Sequence, residues 1–263
     1  MSTIVFDRAN RISASHREQP KLCRRTFQSS QSHQKNTLWH RPELLIFICL
    51  LVIFNAPVVI GSCWQSLVFY PAPVRDGEWW LLFTHPFVHI TWYHLLLDGS
   101  AFFVLYQSLL EPRLISRLVF VFSGAAASLL AAWAVTALDG GLCGLSGIAH
   151  GLMAVSGLEL VARHPPHSAE RRLGLITFIL VVTKAAVEAL SGRMCFSLLE
   201  FGLLGQPVAV SHAGGIIGSL LALALLSRSS LVSRHSGQSA IGLTKTSEET
   251  ILHGSACEPV LRC

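Results

Sequence analysis

Six apolar stretches, most of them about as long as a bilayer crossing, are strung between short polar or proline-marked breaks. They run over 44–60 and about 91–110, 114–137, 146–162, 173–190 and 208–227. A transmembrane helix needs about 20 mostly apolar residues, and the first stretch lies at the short limit of that range. Pro112, Asp139-Gly140-Gly141, Pro165-Pro166 and Gln206-Pro207 supply the breaks. Charged residues make up only 13% of the 263, about half of the roughly 25% usual for a soluble domain. The pattern predicts an all-α membrane protein, a six-helix bundle over 43–227 between a basic polar tail (1–42) and a second polar tail (228–263). Pro57 should end or kink the first helix. The weakly charged segment 61–90, with Trp64, Phe69, Tyr70, Trp79, Trp80, Phe83 and Phe87, suits the lipid–water boundary, where aromatic rings collect.

The basic residues give an orientation. The first 42 residues hold eight, Arg8, Arg11, Arg17, Lys21, Arg24, Arg25, Lys35 and Arg41. Arg113, Arg117, Arg163, Arg171, Arg172, Arg228 and Arg234 flank the breaks and tail on the same side, and Arg75 and Arg193 stand alone opposite. Cytoplasmic loops carry the excess of Lys and Arg, so both termini are expected in the cytoplasm. The net charge of +5 is thereby used up in orientation, and no nucleic-acid partner is expected; the bilayer is the expected surroundings.

With that orientation, polar side chains remote in sequence fall at one depth. Ser146 stands in Gly144-Leu145-Ser146-Gly147 at the outer end of helix four. Glycines beside a serine permit a tight turn and leave its hydroxyl uncovered, as a nucleophile requires; Gly and Ser also serve simply to pack membrane helices. His212 lies about five residues into helix six, roughly 7–8 Å down at 1.5 Å per residue. His89, His94 and Asp98 enter the same layer from helix two, and His150 lies one turn below Ser146 on its face. Ionisable groups within membrane segments are costly and face a cavity or a partner. Gly214, Gly215 and Gly218 clear one side of helix six, so that close packing on helix four would bring His212 to Ser146. A Ser–His dyad with no third carboxylate is then the expected chemistry. The bland reading is that these histidines are interhelical hydrogen-bond partners. His89 and His94, with His85 before them, offer imidazoles for a metal, but their spacing is not that of a zinc protease helix, and no metal is expected.

Gly144-Leu145-Ser146-Gly147, His212 followed by Gly215, and His89-x4-His94-x3-Asp98 resemble the rhomboid intramembrane serine proteases over about 44–227. The resemblance implies Ser146 as nucleophile, His212 as general base, and an oxyanion hole made by the Ser146 backbone N–H, the His94 side chain and the residue at 98. His150 stands where many rhomboids stack a tyrosine on the catalytic histidine. Trp79-Trp80, Trp92 to Leu97 and Gly147 to Leu152 are similar to the bacterial rhombosortase branch. That similarity implies transmembrane clients with a C-terminal Gly-Gly sorting helix, an inner-membrane location with the site towards the periplasm, and no cofactor.

Three positions depart from the family. Asp98 replaces a common asparagine donor, and only a protonated carboxyl could donate there; burial favours that form. Leu81 stands where an arginine often follows the loop tryptophan. Ser219 replaces a glycine. Asp98 keeps open a rival reading, an inactive rhomboid-like protein that binds membrane clients. A transporter using the histidines as a proton relay would need a polar path across the membrane, and the inner half offers mainly Glu159. Cys143 and Cys195 are expected on the outer side, where they either tether their two loops as a disulfide or remain unpaired.

Overall fold

Runs of Leu, Ile, Val and Ala uninterrupted by proline become helices. The computed structural model describes residues 41–135, 138, 140–195 and 208–228. Nearly all of the two tails expected at 1–42 and 228–263, together with Asp139 and the 196–207 stretch containing Gln206-Pro207, lies outside the described residues. The long helices are α1 (Pro42–Phe54), α2 (Trp92–Ser108), α3 (Leu114–Val135), α4 (Ser146–Arg163), α5 (Ala169–Ser191) and α6 (Ala209–Arg228). Of these, α3, α5 and α6 are long and apolar enough to cross a membrane. Among the described residues there is no strand, only one antiparallel bridge between Phe69 and Leu142.

Two boundaries differ from the expectation, each for a local reason. The apolar run 44–60 is not one helix: α1 stops at Phe54, and Ala56–Ile60 forms a 3₁₀ turn with Pro57 in its first turn, closed by Gly61 at φ 74°. Proline cannot donate to an α-helical ladder, so the chain tightens instead. Helix α5 starts four residues before its apolar run because the Ser168 side chain caps it, accepting a hydrogen bond from Arg171 N at 3.1 Å. Such a cap satisfies an N–H that the helix leaves orphaned. Thr91 caps α2 in the same way through His94 N.

Helix α4 packs against α2, α3 and α5. Leu145, Ile148, Leu152 and Val155 meet Phe47 and Leu51 of α1, Phe102 and Tyr106 of α2, and Phe120 of α3 in one buried core. A second core under the aromatic segment joins Phe69, Leu81, Leu129 and Leu142. Leu81 is thus a buried apolar anchor, holding that segment by contact area rather than by charge. The outer faces of the long helices are apolar: Val104, Ile115, Val135 and Leu225 are each more than 60% exposed. In a water-soluble chain such faces would drive association; in a bilayer, lipid covers them. Trp64, Trp79, Trp80 and Trp92 are also exposed.

The 61–90 segment is folded into short turns at Gln65–Leu67, Pro71–Arg75, Leu81–Thr84 and His85–Phe87. At the other end of α4, Glu159 is buried, accepts from Leu110 N at 2.7 Å and pairs with Arg163 at 3.4 Å. It ties the end of α2 to α4 and so has a structural partner at both oxygens.

Candidate active site

Ser146 is the first residue of α4, just after a turn that only Gly144 can make. Gly144 has φ +99°, and a Cβ there would come within 2.7 Å of Asp98 Oδ2 and 2.8 Å of His94 Nε2. The glycine is needed twice, for its backbone angle and for the space beside those two side chains. Its N–H donates to the carbonyl of His85 at 3.0 Å. Buried His85 bonds Leu81 O through Nδ1 at 3.1 Å, and burial lowers its pKa to about 4. It is a neutral anchor for the turn, outside the catalytic candidates.

His212 lies in the first turn of α6, and glycine brings that helix to α4. A Cβ on Gly215 would collide with the Gly147 carbonyl, so the two backbones touch directly, the close approach that small residues permit. Ser219, a turn further on, is buried and donates to Phe120 O at 3.1 Å. Its hydroxyl therefore keeps the tight fit and is satisfied. Ser146, His150, His212, His94, Asp98 and Lys184 line one cavity of about 270 Å³.

The imidazoles of His150 and His212 lie face to face, with centroids 3.9 Å apart and planes 12° from parallel. His150 Nδ1 donates to the Ser146 carbonyl at 2.7 Å, and its Nε2 accepts from Lys184 Nζ at 2.9 Å. Lys184 also bonds Glu188 Oε1 at 2.7 Å. Fully buried Glu188 takes a hydrogen bond from His212 Nδ1 at 2.8 Å and another from Cys195 N at 3.0 Å. A carboxylate on Nδ1 fixes the tautomer that leaves the other ring nitrogen, Nε2, with its lone pair. Glu188 therefore overturns the expectation that no third carboxylate stands behind the histidine. Lys184 and Glu188 were legible as ionisable groups inside an apolar run, a signal of function in a membrane segment.

On the other side of Gly144, Asp98 Oδ2 lies 3.2 Å from His94 Nε2 and 3.7 Å from His89 Nε2. His89 is fully buried behind that pair. Burial pushes the Cys143 thiol, which borders the same cavity, up to about 12, so it is no ready thiolate. Cys143 and Cys195 are both free, and the tether considered between them is not formed.

A serine opening one helix thus lines the same cavity as a histidine backed by a carboxylate, with the three residues carried on three apolar helices. The model of the Rhomboid domain matches residues 76–229. The chain belongs to the rhomboid family, a family of intramembrane proteases, and is a multi-pass membrane protein. Comparison with curated proteins and with solved structures gives no match.

Proposed function

We propose that the protein is an intramembrane serine endopeptidase that cuts within or beside a transmembrane segment of a client. The observation that carries this reading is the hold on His212: Glu188 on Nδ1 and His150 flat against its ring, in the cavity that Ser146 also lines. In this reading Nε2 of His212 takes the Ser146 proton as Oγ attacks the client carbonyl, then returns it to the leaving amine. Glu188 orients the ring and stabilises the imidazolium formed between those steps. The Ser146 N–H and the His94 side chain face the oxyanion, with the residue at 98 beside them. Small residues in the client unwind cheaply and expose the scissile carbonyl.

The protein crosses the membrane six times in this reading, with both termini cytoplasmic, as the basic residues favour. The site then faces the periplasm of a bacterial inner membrane. The likeness of Trp79-Trp80, Trp92 to Leu97 and Gly147 to Leu152 to rhombosortases supports clients bearing a C-terminal Gly-Gly sorting helix. No cofactor takes part.

Labelling of the purified protein in detergent with a fluorophosphonate probe tests the reading. Wild type is expected to label, and Ser146→Ala and His212→Ala to lose labelling and client cleavage while still inserting in the membrane. Normal client processing by Ser146→Ala would sink it. The alternative, an inactive rhomboid-like protein that binds clients, is favoured by Asp98, whose ionised carboxylate would repel an oxyanion. It predicts no labelling under conditions that label an active rhomboid.

A further inference from the structure

Two clusters here bring two imidazoles and a carboxylate within ligand distance of one another: His150, Glu188 and His212, and His89, His94 and Asp98. They differ in what fills the centre. In the first, the Lys184 ammonium sits on both Glu188 and His150, so a cation is already built in. In the second, His89 Nε2, His94 Nδ1 and Asp98 Oδ2 are buried with no hydrogen-bond partner among the described residues.

The His89 tautomer follows from its neighbour. Asn55 Nδ2 donates to Leu51 O at 2.8 Å and Phe87 O at 2.7 Å, which fixes the amide with Oδ1 towards His89. That Oδ1 accepts from His89 N at 2.8 Å and lies 3.2 Å from Nδ1. Since Oδ1 can only accept, Nδ1 carries the hydrogen, and in the neutral ring Nε2 turns a lone pair towards Asp98 Oδ2. An acceptor facing an acceptor 3.7 Å away in a buried site favours a positive centre between them. A histidine hydrogen-bonded to an amide at one nitrogen and open at the other is how proteins orient a metal ligand. His94 Nε2 borders the same point, and Gly144 keeps it clear, because any Cβ there would fall within 3 Å of both Asp98 Oδ2 and His94 Nε2.

We propose that His89 Nε2, His94 Nε2 and Asp98 Oδ2 form a binding site for a divalent transition-metal ion of the zinc class. Two imidazoles and one carboxylate with an open position suit such an ion. The ion is an inhibitor: it takes the His94 nitrogen that would otherwise face the oxyanion, and it closes the space beside Gly144. The inhibition, though not the binding, rests on the protease reading. Asp98 is what distinguishes this site, since an asparagine there would bring no charge to the ion.

The test uses the full chain in detergent, stripped with chelator and titrated calorimetrically with Zn²⁺, and with Co²⁺ as a spectroscopic stand-in. Wild type is expected to bind one equivalent more than Asp98→Asn or His89→Gln. The tetrahedral Co²⁺ bands of that equivalent should vanish in both variants. The weakening at this site should exceed the roughly 10–100-fold that loss of a supporting partner causes. Asp98→Asn preserves shape and keeps the test decisive if His89→Gln fails to fold. Equal stoichiometry and equal Co²⁺ spectra in wild type and Asp98→Asn would overturn the site and leave a proton as the positive centre. Zn²⁺ should abolish fluorophosphonate labelling of Ser146 in wild type and spare it in Asp98→Asn; labelling of Zn²⁺-saturated wild type would overturn the inhibition. If the extra equivalent binds but the chelated protein never labels, the ion site stands and the protease reading falls.

Discussion

Glu188 Oε2 lies 2.8 Å from His212 Nδ1, from a position one helix away and 24 residues earlier in the chain. The bond makes the orientation of His212 a property of α5 as well as of α6. Under the proposed mechanism, Glu188→Gln keeps the volume but presents an amide that donates as readily as it accepts. Client cleavage should fall by as much as about 10⁴-fold, the effect of the wrong histidine tautomer in a serine protease. Cleavage within a factor of a few of wild type would show that His212 does not depend on Glu188.

Lys184 neutralises Glu188 and holds His150. Lys184→Met removes one partner of that pair and leaves the carboxylate with His212 and a backbone N–H alone. Breaking a fully buried pair costs about 3–5 kcal/mol, and the Lys184 side chain is a quarter exposed, so the loss should be smaller. Thermal unfolding in detergent should show it as a lowered midpoint. An unchanged midpoint would mean that water replaces the ammonium at no cost.

Gly144→Ala sets a methyl group against Asp98 Oδ2 and His94 Nε2 at a left-handed backbone angle. The angle alone costs an alanine roughly 1–2 kcal/mol. Because the clash falls on the cavity wall, fluorophosphonate labelling should drop further than stability does. Full labelling of a correctly inserted Gly144→Ala would show that the turn does not shape the site.

Asp98→Asn in chelated protein restores an N–H donor beside His94. One oxyanion-hole donor is worth about 10²–10³ in rate, and cleavage should rise towards that limit if the wild-type carboxyl does not donate. A fall in rate instead would show that Asp98 contributes as a protonated donor or by holding His94.

The serine, the two stacked histidines and the His94–Asp98 pair could be placed together from the sequence because helix register and membrane depth are periodic quantities. Ser146 and His150 are one turn apart, and His212 falls at matching depth on a helix cleared by glycines. Glu188 was missed for the opposite reason. Depth shows that a residue lies in the right layer but not which way α5 is turned, and that rotation is set by packing, including the Ser168 cap that starts the helix early. The tie between Asn55 and His89 was also hidden. It depends on the break that Pro57 makes after α1, which a continuous apolar run disguises.

Where α4 meets α6, the Gly147 carbonyl lies directly against Gly215, with no side chain as a spacer. Side chains change rotamer with temperature and with the surrounding lipid; two peptide backbones in contact have no such freedom. The separation of the elements bearing Ser146 and His212 is therefore insulated from mutational drift elsewhere in the bundle. It is exposed to drift at Gly215 and Gly151, where even one added methyl group would strike the facing helix.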